Sequence, residues 1–106
     1  MRFSLIDYGR AFSTRPRGAA LLEELVAKAA DAEHVDVDFD GVTSISYSFA
    51  DEFVGVLMQR AADDTYPFEV HLEAVPVALR RVILRSLEHR GLEVEADELF
   101  GELAGR

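Results

Sequence analysis

Three consecutive hydroxyl-bearing residues, Ser46, Tyr47 and Ser48, stand where an apolar alternating segment gives way to an amphipathic one. A helix N-terminus presents unpaired backbone N–H groups and the positive end of the helix dipole, so a phosphate is stabilised there. Such a corner suits two tasks: accepting a phosphoryl group, or presenting a polar surface to a partner. Ser48, Ser46 and Tyr47 are therefore the candidate phosphoacceptors. A simpler reading stands beside this one. Ser48-Phe49-Ala50-Asp51 fits a helix start with Ser48 as the N-cap, and Asp51 and Glu52 suit the first turn.

Other groupings carry less. His71 is expected with Glu69, Glu73, Asp36 and Asp38 on an open sheet face, where solvated charges are commoner than convergent metal ligands; no metal and no cofactor are expected. His34 and His89 are isolated surface candidates. Thr14-Arg15-Pro16-Arg17-Gly18 lies at a helix N-terminus but lacks a glycine-rich phosphate loop. No Ser-His-Asp grouping, P-loop or dinucleotide fingerprint is present, and an enzyme is not expected.

The elements that must hold the joint are legible from periodicity. Residues 2–8 form a first strand, with Phe3 and Leu5 on one face, and Gly9-Arg10 turns the chain into a short returning strand at Ala11-Phe12. Ser13 or Thr14 caps a helix with Pro16 in its first turn; it runs to about Ala30 and buries Leu21, Leu22, Leu25, Val26 and Ala29. Residues 34–40 alternate, with Val35, Val37 and Phe39 against Asp36, Asp38 and Asp40. Residues 49–63 are helical, and Phe49, Phe53, Val56, Leu57 and Ala61 share a face. Gly55 within that helix costs about 1 kcal/mol against alanine, which a close backbone approach to the sheet would explain. Residues 67–73 alternate again. Pro76 opens a third helix burying Leu79, Val82, Ile83 and Leu87, and Gly91 ends it. A strand-like stretch at 92–95 and a last helix carrying Leu99, Phe100 and Leu103 complete the chain.

Strand, helix, strand, helix, strand, helix is the order of an α/β domain. Parallel sheets covered on both faces read as continuous apolar runs, whereas these strands alternate, so one face is expected to be wet. Right-handed crossovers put successive helices on one side when strands are added in one direction. Both arguments give a two-layer domain with a mainly parallel mixed sheet and helices on one face.

Composition bounds the rest. A chain of 106 residues, 49% of them hydrophobic, is one domain. Its core is expected at about 3–90, followed by an acidic tail at 91–106. The formal charge of −9 argues against non-specific nucleic-acid binding. There is no cysteine, which removes disulfides and thiol chemistry and fits an intracellular setting. No apolar run follows Met1-Arg2 as in a signal peptide, and none approaches the roughly 20 residues of a membrane span. Arg80, Arg81, Arg85 and Arg90 cluster on the third helix, ahead of Glu93, Glu95, Asp97, Glu98 and Glu102. This is either a basic helix neutralised by its own tail or a face for an acidic partner.

Residues 38–57, DFDGVTSISYSFADEFVGVL, resemble the signature of STAS domains, which include the anti-sigma factor antagonists. Gly41-Val42 and Ile45 match the motif spacing, with Asp40 in place of the serine before its glycine. Ile45 to Glu52 resembles more closely the Ile-Ser-x-Ser-Phe-Ala-Asp-Glu core of the STAS-like domain of unknown function. Phe12-Ser13-Thr14-Arg15 ahead of a leucine-rich helix, and a Pro-Val-x-x-x-x-Val-Ile helix near the end, are also similar to that family. The resemblance spans about residues 3–90.

It implies a regulatory domain that binds a protein, a histidine-kinase-like ATPase or an anti-sigma factor. In the antagonists that partner phosphorylates a hydroxyl at this joint and is thereby released. Aligned without gaps, the phosphoacceptor position falls on Tyr47, the motif's aspartate on Ser46 and its second hydroxyl on Ser48, while its glycine-leucine pair becomes Phe49-Ala50. The expected contact surface is Thr43, Ser44, Ser46, Tyr47, Ser48, Phe49, Asp51 and Glu52, with Thr14 and Arg15 beside it. The setting is expected to be cytoplasmic. A non-phosphorylated scaffold and a small-ligand or nucleotide sensor are the alternatives, and self-association through a sheet edge is left open.

Overall fold

A computed structural model describes residues 1–101. Five strands and four helices follow in order: β1 (Arg2–Ser4), β2 (Ala11–Phe12), α1 (Arg15–Lys28), β3 (His34–Asp38), β4 (Ser44–Ile45), α2 (residues 47–62), β5 (Glu69–Glu73), α3 (Val77–His89) and α4 (Ala96–Phe100). The strands lie β1-β3-β5 in one sheet and β2-β4 in a second. Every pairing among the described residues is parallel, so the sheet is not mixed.

The register follows the apolar pattern. Phe3 pairs with Val37, Val37 with Leu72, and Val35 with Val70, so the inward set of each strand is shared. Because strands are added in one direction, α1 and α2 cover the same face. That face and the helices enclose the core, in which Leu5, Leu25, Val35, Val37, Phe39, Phe53, Leu57 and Ile83 have no exposure. The outward set (Arg2, Asp36, Asp38, His71, Glu73) is half-buried or exposed, so the wet face is observed.

Ala11-Phe12 does not return along β1. A 3-10 turn at Leu5–Asp7 carries the chain away, and Ala11 and Phe12 pair instead with Ser44 and Ile45. Phe12 is buried and stacks on Phe49 at 4.8 Å, the first of a row of rings continuing through Phe53 to Phe3. Aromatic burial here outweighs the longer ladder a hairpin would supply.

Residues 92–95 form no strand. The N–H of Leu92 donates to the carbonyl of Leu87 at 2.9 Å and that of Gly91 to Glu88 at 3.0 Å, a six-to-one helix closure with Gly91 at φ +77°. The half-buried side chains of Leu92 and Val94 then pack against the core. Of the expected last helix, α4 is seen with half-buried Leu99 and Phe100; Leu103 and Glu102 lie outside the described residues.

Helix α2 starts at Tyr47, two residues before the periodicity predicts. It is α-helical over Tyr47–Ala50, π-helical over Asp51–Gly55 and α-helical over Val56–Ala62. The helix is enclosed on three sides. A Cβ on Gly18 of α1 would lie 3.0 Å from the Phe49 carbonyl oxygen, so α1 crosses backbone against backbone. Phe53 meets Phe3 of the sheet, and Gly55 faces α3. The close approach at Gly55 is therefore to a helix and not to the sheet.

Candidate functional site

Strand β4 delivers Ser46 to the corner with its backbone already held: the Ser46 N–H donates to the Phe12 carbonyl at 2.9 Å. Its extended backbone (φ −82°, ψ 164°) aims the hydroxyl at the helix start, where it accepts from the Phe49 N–H at 3.0 Å. The same hydroxyl donates to the Ser13 carbonyl at 2.9 Å. Ser46, not Ser48, is thus the N-cap of α2, and it also fastens the start of α1. Thr14 caps α1 by accepting from the Arg17 N–H at 3.2 Å.

The remaining hydroxyls divide clearly. Thr43 donates to the Arg10 carbonyl at 3.0 Å. Tyr47 shares a hydrogen bond of 2.7 Å with His89 Nδ1, joining the first turn of α2 to the last turn of α3. Ser48, half-buried in the first turn of α2, has no hydrogen-bonded hydroxyl partner among the described residues. Thr43 and Ser44 are exposed, whereas Phe49 has no exposure and is a core residue rather than a contact residue.

Directly beneath the corner lies a polar cluster. Arg90 of α3 grips Asp51 with two bonds, Nε to Oδ1 at 2.8 Å and Nη2 to Oδ2 at 2.9 Å. Ser86 donates to Oδ1 at 2.8 Å, and Arg15 of α1 donates to Oδ2 at 2.9 Å and to Glu52 at 3.1 Å. The remaining Arg90 nitrogen donates to the Gln59 side-chain oxygen at 2.9 Å. The Asp51 side chain is only 12% exposed. The Arg90 guanidinium holds its carboxyl well below the usual carboxylate range, against burial, with Arg15 and Ser86 adding to the effect. Asp51 is therefore an internal clamp joining three helices and not a partner-facing acid.

Arg90 thus leaves the basic cluster on α3, and Arg80 is held by the Val75 carbonyl at 3.0 Å and lies over the Phe100 ring. Arg81 and Arg85 stay exposed. Of the clamp's members, Ser86, Gln59 and Arg90 were not legible as a site. The available signal was Ser86 interrupting the apolar stripe of Ile83 and Leu87, four residues before Arg90.

The segments that meet here, Phe12 to Arg15 and Ile45 to Glu52, are joined by the Ser46–Ser13 and Arg15–Asp51 bonds. A model of the STAS-like domain of unknown function matches residues 17–71, just over half of the chain. The chain belongs to that family. No curated protein and no solved structure matches it. The match takes in most of α1, the joint and all but the end of β5; Arg15 and α3 of this STAS-like domain lie outside it.

The capping geometry separates the two serines. Ser46→Ala is expected to cost about 1 kcal/mol, the typical cost of losing an N-cap. Ser48→Ala is expected to stay within about 0.5 kcal/mol, as surface changes do. Urea denaturation of the two variants measures both.

Proposed function

We propose that this STAS-like domain is a regulatory protein-binding module whose partner reads the joint at 43–48, and that Ser48 is the hydroxyl phosphorylated to release it. The observation that carries the reading is the Ser48 hydroxyl in the first turn of α2, unengaged among the described residues, directly after a serine committed to capping and a tyrosine bound to His89. Its electrostatic setting supports phosphate. Asp51 and Glu52 follow three and four residues on, but the guanidiniums of Arg90 and Arg15 neutralise them. A phosphate at Ser48 thus meets the helix N-terminus without a net negative neighbourhood.

The partner class follows the family resemblance: a histidine-kinase-like ATPase or anti-sigma factor, acting with this domain in the cytoplasm. The domain binds rather than catalyses. Its contact residues are Thr43, Ser44, Tyr47 and Ser48, with Thr14 and the exposed part of Arg15 beside them. Burying a dianion in that interface without a paired cation weakens it.

The test is incubation with the cognate ATPase and Mg-ATP, followed by intact-mass measurement and binding assays. One added phosphate, absent from Ser48→Ala, and at least about tenfold weaker binding by Ser48→Asp are expected. Binding without a mass shift leaves a scaffold. A thermal shift with nucleotide alone leaves a ligand sensor. Unchanged affinity of Ser48→Asp removes the switch.

A further inference from the structure

The wet sheet face, which α1 and α2 leave uncovered, carries a second grouping of functional side chains. β3 begins at His34, and the parallel register sets Glu69 of β5 directly across from it. His71 follows two residues along β5, so its side chain points to the same face. His34 Nδ1 lies 3.0 Å from Glu69 Oε2, and the imidazoles of His34 and His71 stand 6.2 Å apart. One donor atom from each residue falls within 4.8 Å of the others.

We propose that His34, Glu69 and His71 bind a zinc ion. Two imidazole nitrogens and one carboxylate oxygen are a zinc donor set, which leaves a fourth position for water. Ligand atoms around tetrahedral zinc stand about 3.4 Å apart, given bonds of roughly 2.0–2.1 Å. Side-chain rotations of these three exposed residues supply that closure without moving the strands. The imidazole nitrogens that coordinate the metal must be unprotonated, so binding weakens as pH falls.

The surroundings favour a cation. Arg2 is engaged by Asp38 at 3.2 Å and by Glu73 at 2.5 Å, farther along the same face. Asp36 pairs in register with His71, which sets a further acidic residue beside it on the same sheet face. Nitrogen donors also set the metal class: magnesium and calcium require oxygen ligands.

Zinc titration of the full chain without a histidine tag tests the site, with cobalt absorption reporting geometry. One zinc per chain, a tetrahedral cobalt spectrum and no response to magnesium are expected. His34→Ala and His71→Ala each weaken binding by at least about tenfold. All three ligands are exposed, so the variants keep the wild-type urea midpoint without metal, while zinc raises the Tm of wild type alone. Absence of saturable zinc binding, or undiminished affinity in His71→Ala, overturns the proposal.

Discussion

Arg90→Met is expected to lower the unfolding free energy by about 3 kcal/mol, the lower end of the range for orphaning a buried ion-pair partner. Methionine keeps the apolar stem but removes both bonds to Asp51 and the bond to Gln59. The carboxylate stays buried, held by Ser86 and by Arg15, whose own side chain is 46% exposed. That residual support keeps the loss from reaching the top of the range. For a domain of this size the Tm falls by roughly 10–20 °C. Arg15→Met, acting on the wetter side of the same carboxylate, is expected to lower the urea midpoint clearly less than Arg90→Met does, because solvent screens an exposed pair. Asp51→Asn added to Arg90→Met removes the stranded charge and recovers part of the loss. A urea midpoint for Arg90→Met equal to wild type would show that the clamp contributes nothing.

The same clamp makes stability depend on acid. The folded Asp51 carboxyl titrates below its unfolded value of about 3.9. In the interval between the two values the unfolded chain binds a proton and the folded chain does not, so stability rises with pH there. The contribution is complete above the unfolded value and is lost as pH falls through the folded one. The stability difference between wild type and Asp51→Asn should therefore shrink as pH is lowered from about 5 towards 2. A difference that stays constant over that range would place the carboxyl in an ordinary environment.

Local patterns made the α/β order, the wet face and the corner legible. Alternation at 34–40 and 67–73 and helical spacing at 21–29 and 79–87 are carried by neighbouring residues, and the structure keeps them. What escaped depends on partners distant in sequence. Ser46 became the cap because β4 docks on β2, which decides where the extended backbone ends. Asp51 read as a first-turn surface acid, yet its principal partner lies 39 residues away on α3. His34 looked isolated until the register of β3 on β5 placed it beside Glu69. A single-stripe helix pattern also has no means of showing burial on three sides, which is the condition of α2.

That burial reverses the ordinary expectation for Gly55. In an exposed helix, glycine to alanine adds about 1 kcal/mol of stability. Here Gly55→Ala is expected to destabilise by about 2 kcal/mol net. A Cβ at this position would stand 2.5 Å from Ser86 Oγ and 2.7 Å from Arg90 Nε. Both atoms are bonded to Asp51 Oδ1, so neither moves without releasing the buried carboxylate. Losing a hydrogen bond to a charged group costs about 1.5–3 kcal/mol, and displacing the guanidinium adds to it. Gly55 is thus the space that lets α3 bring its serine and arginine onto α2. A double variant, Gly55→Ala with Ser86→Ala, tests this directly. Removing the nearer obstacle should make the pair less destabilised than the sum of the single changes by at least about 0.5 kcal/mol, the coupling found between residues in contact. Strict additivity, or a Gly55→Ala variant more stable than wild type, would mean that α2 and α3 part without cost and that the clamp does not hold the corner in place.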